Sequence, residues 1–557
     1  MNTSTPIRWA TALLMLQAAF AGAQIPPQPQ PLGPPPVPPA NPLTSAKIQL
    51  GQTLFWDEQL SLTGTVACGT CHRAFAGGSD PRTALDIAGN ANPGPNNVPG
   101  DADDVYASAG VPAHAADGLY FAIANFGIAP QTGTRRALST IDAAYSPLLF
   151  WDGRAGGRFS DPQTGQVLIA QGGALESQSL QPLLNVAEMS PSGATAAMIG
   201  TRIADREPLG LATNVPASLT AWIAGRSYTQ LFADAFGSSE ISAAHIAMAL
   251  ASYERTLTAN QTPIDSQFAG TPSLTPLEQQ GQQVFVANDC AACHAGSLFS
   301  DNQFHYTGVR PVTDDPGRFA ITANNADRGA FRTPSLRNVA LRAPYMHNGR
   351  LMSLAEVVDF YARGGDFNAP NKDPRVRPRN LSAQQKAALV AFLQRPLTDL
   401  RTQAESGPFE RPTLYTESDR APVIVGNGLA GAGGEVPQIE AIEPPQVGNH
   451  NFTVALSHAL GGTSATLVVD HDDPGIASTI PTGAFANRLV VLAGSGAGQG
   501  TASINLDLGN DSNLIGQDLY GRFYVRDAAA PGGLAITPAF RITLFGNSGP
   551  LFANGFD

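Results

Sequence analysis

The chain has few cysteines and histidines, no strongly basic segment and no long apolar run. Its 557 residues include four cysteines and nine histidines, and the formal net charge is −12. This acidic balance argues against binding to nucleic acid or to an anionic membrane surface. The longest apolar stretches are too short for a membrane-spanning helix. With 43% hydrophobic and 14% charged residues, the sequence is that of a folded protein with several domains.

The N-terminus has the pattern of a secretory signal peptide. Arg8 supplies a positive charge, residues 9–20 are apolar, and the small residues 21–23 form a cleavage site. Residues 1–23 are therefore predicted to be removed on export, most simply to a bacterial periplasm, with secretion or attachment to the cell surface as alternatives. A proline-rich linker is predicted for residues 24–43.

All four cysteines occur in two Cys-x-x-Cys pairs, and a histidine directly follows each pair. The two groups are Cys68, Cys71 and His72, and Cys290, Cys293 and His294. Two disulfides are the simplest alternative in an oxidising compartment, but they leave the adjacent histidines unexplained. Zinc sites would need further ligands, and no second Cys or His cluster is nearby. The Cys-x-x-Cys-His signature instead predicts two covalently bound haem c groups.

The spacing suits this attachment. Thiols at positions i and i+3 lie on one face of a helical turn, so both can reach the vinyl groups on one porphyrin edge. The imidazole that follows then coordinates the iron from below.

Helical patterns precede both motifs, and a β-pattern fills the C-terminal part. Helices are predicted at residues 44–56, 241–257, 275–285, 353–363 and 382–395, with N-caps at Thr44 or Ser45, Thr275, Ser353 and Ser382. Long Gly/Pro/Asn-rich loops cover residues 76–118 and 153–176. After about residue 405, six stretches alternate with period two between turn residues, which predicts a small β-sandwich.

The fold class predicted from these patterns is mainly α, with two cytochrome-c-like haem domains and a C-terminal all-β domain. The predicted boundaries are 44–240 for the N-terminal haem domain, 241–404 for the C-terminal haem domain, 405–445 for a linker and 446–557 for the β-domain.

Residues 42–400 resemble the bacterial di-haem cytochrome c peroxidases and the related di-haem enzyme that matures the tryptophan-derived cofactor of methylamine dehydrogenase. The resemblance is carried by seven motifs in order: LGQTLFWDEQLSLTGTVACGTCH (50–72), LLFWDGRA (148–155), LNVAEM (184–189), SYERTL (252–257), GQQVFVANDCAACH (281–294), FRTPSLRNVALRAPYMHNG (331–349) and LAEVVDFYARGG (354–365). It covers about two thirds of the chain and excludes the β-region.

The resemblance implies a role for several residues. The haem held by His72 would meet peroxide, and the haem held by His294 would pass electrons, with Trp151 between them. Glu188 matches the family's catalytic glutamate, and a carboxylate suits the transfer of a proton from one peroxide oxygen to the other. Gln178, ten residues earlier, would hydrogen-bond bound peroxide or water.

The sixth ligand of the second haem departs from the common family pattern. Typical peroxidases place a Met sixteen residues after the first Tyr of a PYxH motif, and here the position sixteen after Tyr345 is Tyr361. The cofactor-maturing enzyme also uses Tyr at this place. A phenolate is a hard anionic donor that lowers the reduction potential, so a His294–Fe–Tyr361 site is predicted, with Met346 as the alternative ligand.

Two further departures concern the first haem and a calcium ion. The family's blocking histidine would fall at Ile128, so we expect the first haem to be open without reductive activation. His114 can substitute only if its loop folds back.

Arg136 stands where the family has a calcium-binding Asn, which makes calcium doubtful because Arg cannot ligate it. Backbone oxygens near Arg342 and Pro344 would remain as partial ligands. His347 is expected beside the second haem without ligating it.

The sequence thus predicts a periplasmic di-haem oxidoreductase that reduces hydrogen peroxide. Electrons would come from a cytochrome or another small redox protein, or from a protein or organic substrate oxidised through high-valent iron. One alternative is a pure electron-transfer di-haem cytochrome. Another is a binding protein whose β-domain is the working part and whose haem region is degenerate.

Overall fold

The computed structural model describes residues 30–86 and 88–546. The predicted signal peptide and the first residues of the proline-rich linker lie outside the described residues. The predicted fold class, mainly α with a C-terminal all-β domain, is confirmed. Helices and long loops extend to about residue 404, and strands dominate after it. No helix within the described ranges is long and apolar enough to cross a membrane.

The helices and strands follow one another along the chain. The helices are α1 (Ser45–Phe55), α2 (Cys68–Cys71), α3 (Arg82–Leu85), α4 (Ala174–Leu184), α5 (Ala196–Ala204), α6 (Ala217–Ile223), α7 (Tyr228–Phe236), α8 (Ala243–Glu254), α9 (Pro263–Phe268), α10 (Pro276–Ala287), α11 (Phe319–Thr322), α12 (Leu354–Arg363), α13 (Ala383–Leu393) and α14 (Leu400–Gln403). The strands are β1 (Ala91–Asn92), β2 (Val105–Tyr106), β3 (Phe159–Ser160), β4 (Val167–Ile169), β5 (Phe304–His305), β6 (Phe331–Arg332), β7 (Val423–Val425), β8 (Gln438–Glu440), β9 (Phe452–Gly461), β10 (Ser464–Asp470), β11 (Ala486–Val491), β12 (Gly496–Leu506), β13 (Asp518–Arg526), β14 (Leu534–Ile536) and β15 (Ala539–Thr543).

The five predicted helices are confirmed as α1, α8, α10, α12 and α13, and each begins at a residue that caps it. The Thr44 hydroxyl accepts a hydrogen bond from the backbone N–H of Lys47, and Thr275 forms a capping box with Glu278. Ser353 and Ser382 cap α12 and α13. A cap satisfies one of the free N–H groups at a helix start, so the start of each helix is set by local sequence.

The helix before each haem motif crosses a later helix at a glycine. In α1, a Cβ atom on Gly51 would lie 2.0 Å from the backbone oxygen of Ala249 in α8. In α10, a Cβ atom on Gly281 would lie 2.0 Å from the backbone oxygen of Ala388 in α13. Only glycine permits this approach of two backbones. The two halves of the helical region therefore repeat one packing arrangement, and each has its own hydrophobic core.

The C-terminal strands form two sheets that pack face to face. One sheet has the strand order β11-β10-β13-β15-β7, with β14 added to β13, and the other has the order β12-β9-β8. Their inward side chains, among them Leu456, Leu467 and Phe523, share one buried core. The six strands predicted by alternation are confirmed. Two short strands, β7 and β8, lie within residues 405–445, the segment predicted as a linker.

The end of the proline-rich segment is packed against the helices. Asn41 is fully buried, and its side-chain amide donates hydrogen bonds to Glu176 Oε1 at 2.8 Å and to the Met248 backbone oxygen at 2.9 Å. This segment is thereby fixed to α4 and α8.

Candidate active site

The first Cys-x-x-Cys-His motif folds as the short helix α2 followed by a turn. His72 lies directly after α2, and its Nδ1 is 3.0 Å from the backbone oxygen of Gly78. Because a carbonyl oxygen can only accept, Nδ1 carries the proton and Nε2 keeps a lone pair for a metal. Burial lowers the pKa of His72, which favours this neutral form. The ring faces a cavity that Trp56, Ile141 and Tyr253 also line.

The second motif has the same local design. Cys290–Ala292 form a single turn of 3-10 helix, and His294 Nδ1 is 2.9 Å from the backbone oxygen of Phe299. Burial also lowers the pKa of His294, so Nε2 is again the available ligand atom. The structure joins none of the four cysteines in a disulfide, so all four sulfur atoms remain available for haem attachment.

The charges between the two motifs fit the carboxylates that haem carries. Arg136, Arg332 and Arg342 are buried, and none of them forms an ion pair with a described carboxylate. Burial lowers the pKa of Arg136 to about 9 and those of Arg332 and Arg342 to about 10. Buried cations normally have anionic partners. Haem propionates would supply such partners, so this part of the chain is suited to two haems.

Arg342 lies close to both motifs. A Cβ atom on Gly77, five residues after His72, would lie 2.6 Å from Arg342 Cγ. The charge of Arg342 also contributes to the lowered pKa of His294. An arginine of the second half thus lies beside the first motif, which brings the two haem sites together.

The structure places Glu188 next to the first motif. Glu188 follows α4 in a tight turn, where its Oε1 accepts a hydrogen bond from Asn185 Nδ2 at 2.8 Å. Burial raises the pKa of its carboxyl, and the positive charge of Arg154 partly offsets this. The charge of Glu188 in turn contributes to the raised pKa values of the Cys68 and Cys71 thiols. The carboxyl group is therefore within electrostatic reach of both haem-attaching sulfur atoms.

Gln178 lies on α4, the helix that comes directly before the Glu188 turn. Its side chain is partly buried, and its amide has no hydrogen-bond partner among the described residues. An amide that is held on a helix without a protein partner can bind a ligand or water. The two distal residues expected from the resemblance therefore come from one helix and the turn that ends it.

Trp151 lies at the contact between the two halves of the helical region. Its Nε1 donates a hydrogen bond to the backbone oxygen of Arg136 at 2.8 Å, and its own backbone oxygen accepts one from Arg332 N at 2.8 Å. Its ring meets Phe331 and His347 edge-on, with centroid distances of 6.4 and 6.2 Å. This position suits a bridge between two cofactors.

His347 is stacked on Phe331, with ring centroids 3.7 Å apart. Burial lowers the pKa of His347 to about 4, so the imidazole is neutral at physiological pH. The ring lies at the Trp151–Phe331 contact, and its place beside the second haem stays a prediction.

Both candidate sixth ligands of the second haem pack into the same core. Tyr361 and Met346 are partly buried there beside Cys290. Burial raises the pKa of Tyr361, and the charges of Cys293 and Cys290 raise it further. Its hydroxyl has no hydrogen-bond partner in the described part of the chain. The choice between Tyr361 and Met346 as the sixth ligand stays a prediction.

The loop of residues 110–131 carries Ile128 and His114. Ile128 is 2% exposed and packs on Tyr120 and Ala455. His114 is also buried, and its Nδ1 bonds the backbone oxygen of Pro112 at 2.6 Å. His114 Nε2 is buried and has no hydrogen-bond partner among the described residues. The open first haem and the substitution by His114 both stay predictions.

The guanidinium of Arg136 donates hydrogen bonds to backbone oxygens that would otherwise be available as calcium ligands. It donates hydrogen bonds to the backbone oxygens of Arg342 at 2.6 Å and Ala343 at 3.0 Å. A positive group already satisfies these oxygens, and it would repel a divalent cation. The arrangement supports the doubt about calcium.

Replacing Arg136 by alanine is expected to lower the free energy of unfolding by about 3 kcal/mol, because two buried carbonyl groups lose a charged donor. Denaturant unfolding of the haem-loaded protein measures this. Arg226→Ala, at a partly exposed surface ion pair, is the control and should cost less than about 1 kcal/mol. A calcium chelator should leave the midpoint of the wild-type protein unchanged; a large drop would show that calcium is bound.

Two acidic sites were not found from the sequence. Glu254 is buried, its Oε1 accepts a hydrogen bond from the Ser179 hydroxyl at 3.3 Å, and burial raises its pKa to about 8. Its charge also contributes to the raised pKa of Cys68. Near the second motif, the His305 ring lies between Asp301 and Asp373, with N–O distances of 3.0 and 2.8 Å. Only the SYERTL motif pointed toward Glu254.

The Cys293 thiol, His305 and Asp373 also lie within 4.8 Å of one another, a set that suits a metal ion. Cys293 belongs to the haem-attachment motif, and a thioether sulfur is no longer a thiolate ligand. We therefore assign no separate metal site to this group.

Comparisons with known proteins show which proteins the chain resembles. A family model described as di-haem cytochrome c peroxidase matches residues 45–273, and one described as cytochrome c matches residues 278–395. The chain is 32% identical over 363 residues to the methylamine utilization protein MauG of Methylorubrum extorquens, over 64% of this chain and 80% of that protein. It is 26% identical over 386 residues to the cytochrome c551 peroxidase of Nitrosomonas europaea, over 68% and 88% of the two chains.

Among solved structures, the fold is similar to that of a MauG-like protein associated with microbial copper homeostasis. The sequence identity is 28% and the TM-score is 0.50, over 69% of this chain and 97% of that chain. Both family models end before the β-sandwich begins.

Proposed function

Because the chain belongs to the di-haem cytochrome c peroxidase family and carries two covalently bound c-type haems, we propose that it reduces hydrogen peroxide at the haem held by His72. The observation that carries this proposal is the place of Glu188 beside the first motif. Arg82 donates hydrogen bonds to Cys71 Sγ at 3.3 Å and to the Ala109 oxygen at 2.8 Å, and a Cβ atom on the adjoining Gly110 would lie 2.8 Å from Glu188 Cα. The predicted signal peptide supports export to the periplasm.

Each peroxide takes up two electrons and two protons and yields two water molecules. When bound, the haems supply the redox chemistry that breaks the O–O bond and delivers the electrons. Glu188 takes the proton from the peroxide oxygen nearer the iron and returns it to the leaving oxygen. Gln178, whose amide has no hydrogen-bond partner in the described part of the chain, holds the peroxide by a hydrogen bond. Asn185 holds the carboxyl group of Glu188 in place through its 2.8 Å hydrogen bond.

The electron route joins residues of both halves of the helical region. We propose His294 and Tyr361 as the ligands of the second haem and Trp151 as the bridge between the two haems. A phenolate ligand favours the oxidised form of the second haem. The electrons would come from a reduced small redox protein, or from a protein or organic substrate that is oxidised in the reaction.

The test is peroxide consumption by the haem-loaded protein, with a reduced small c-type cytochrome and an organic reductant as separate donors. Trp151→Phe should slow electron transfer between the haems by about tenfold, which corresponds to about 1.4 kcal/mol in the barrier. Trp222→Phe, on the partly buried helix α6, is the control and should leave the rate unchanged. A wild-type protein that consumes no peroxide with either donor would favour the electron-transfer cytochrome.

A further inference from the structure

The loop of residues 110–131 lies directly against the turn that carries Glu188. The backbone N–H of Val111 donates a hydrogen bond to the oxygen of Ala187 at 3.1 Å, and Gln131 Nε2 donates one to the oxygen of Val186 at 2.9 Å. A Cβ atom on Gly110 would lie 2.1 Å from the Ala187 oxygen and 2.8 Å from Glu188 Cα. The contact is so close that a displacement of the loop must move the turn.

The opposite side of the same loop is bound to the β-sandwich. The Tyr120 hydroxyl donates to Glu443 Oε1 at 2.8 Å, and the Ser503 hydroxyl donates to the Tyr120 backbone oxygen at 2.8 Å. Thr453 adds a hydrogen bond from its hydroxyl to the Gly118 oxygen at 3.1 Å. Glu443 is itself held, because its Oε2 accepts from the Thr453 backbone N–H at 3.0 Å. Tyr120 and Glu443 are both buried, so water does not replace their hydrogen bond.

Hydrogen bonds within the loop connect the part that contacts the β-sandwich with the part that contacts the Glu188 turn. Gly110 N donates to the Gln131 oxygen at 2.9 Å, and Gln131 N donates to the Val111 oxygen at 3.0 Å. Phe121 N donates to the Ala113 oxygen at 2.9 Å. Between these bonds, Ile128 and Tyr120 pack on Ala455 of β9. The loop is therefore held by its own hydrogen bonds and lies between the β-sandwich and the Glu188 turn.

We propose that the β-sandwich positions Glu188, by holding loop 110–131 through the Tyr120–Glu443 and Ser503–Tyr120 hydrogen bonds. This inference rests on the proposed function for the catalytic role of Glu188, but the mechanical connection stands on the contacts alone. Tyr120, Glu443 and Ser503 are positioning residues. The same attachment keeps Ile128 packed against Ala455 of the sandwich.

A pair of matched variants tests this connection in the haem-loaded full-length protein. Tyr120→Phe removes one buried hydroxyl on the loop. Tyr415→Phe removes another buried hydroxyl at the same junction, one that donates to the backbone oxygens of Ile442 at 3.2 Å and Glu443 at 2.8 Å and forms no hydrogen bond with the described residues of the loop. Ser503→Ala removes the second bond to Tyr120 and changes only a partly buried side chain of β12.

Hydrogen–deuterium exchange of peptides that cover residues 185–190 is the main measurement. We expect Tyr120→Phe to raise exchange there by about tenfold and Ser503→Ala by about threefold, while Tyr415→Phe matches the wild type. In peroxide turnover, Tyr120→Phe should lower kcat with little change in KM, since Glu188 is displaced and not removed. It should also shift the pH profile of kcat, because the surroundings of the Glu188 carboxyl change.

Unchanged exchange at residues 185–190 in both Tyr120→Phe and Ser503→Ala would overturn the inference. A rise in exchange in Tyr415→Phe as large as that in Tyr120→Phe would also overturn it. If the wild-type protein does not turn over peroxide, the proposed function fails, but the exchange data still decide whether the sandwich holds the Glu188 turn. The two failures are therefore distinguishable.

Discussion

Glu188→Gln is expected to slow the reaction of the resting protein with hydrogen peroxide by about 10²–10⁴-fold, the range for loss of a general acid–base group. The amide has nearly the same size and can still accept a hydrogen bond from Asn185, but it cannot take up a proton at physiological pH. Haem attachment and the resting spectrum should not change. Stopped-flow mixing of the oxidised protein with peroxide measures the rate constant.

The pH dependence provides a second result from the same experiment. Burial raises the pKa of Glu188, so its carboxyl group stays protonated to a higher pH than that of an exposed glutamate. The unprotonated form accepts the peroxide proton, so the wild-type rate should rise with pH as this group deprotonates. In Glu188→Gln the rise should disappear.

Glu440→Gln is the matched control. Glu440 lies on β8 in the sandwich, is also half-buried, and burial raises its pKa as well. We expect this variant to react with peroxide at the wild-type rate. A Glu188→Gln protein that reacts as fast as the control would remove Glu188 from the mechanism.

Tyr361→Phe is expected to convert the second haem from low-spin to high-spin and to raise its reduction potential by about 0.1 V or more, within the range of about 0.8 V over which axial ligands tune haem potentials. Phenylalanine keeps the ring in the core and removes only the donor oxygen. Because an anionic ligand stabilises the oxidised iron, its loss favours reduction. Optical spectra and a redox titration measure both effects.

Two further variants complete the test: one is a control, and the other examines the alternative ligand. Tyr306→Phe removes a phenol hydroxyl that bonds the Arg310 oxygen at 2.8 Å in the same half of the helical region, and it should leave the second haem unchanged. Met346→Leu tests the alternative ligand. Loss of the low-spin spectrum in Met346→Leu, with an unchanged spectrum in Tyr361→Phe, would assign the ligand to Met346.

The elements whose signals are local were predictable from the sequence. Thr275 and Glu278 mark the start of α10 through a capping box, and the alternation in residues 451–460 gives β9. In the same way, the two Cys-x-x-Cys-His motifs identify the haem sites within five residues each. Such patterns depend on neighbouring residues, so no knowledge of the tertiary fold is needed to read them.

Features that depend on long-range contacts were not predictable. The strands β7 and β8 have three residues each, too few for a periodic signal. The hydrogen bond from Arg136 to the Arg342 oxygen joins residues 206 positions apart, and the bond from Tyr120 to Glu443 spans 323 positions. The sequence showed that Arg136 was unsuited to calcium, but only the fold shows which groups it bonds.

Electron paramagnetic resonance of the resting oxidised protein, before and after addition of peroxide, tests the central claim most directly, because it reports the coordination of both irons at once. An open first haem and a ligated second haem predict one high-spin and one low-spin ferric signal, and both should diminish when peroxide is added. Two low-spin signals that peroxide leaves unchanged would contradict the account.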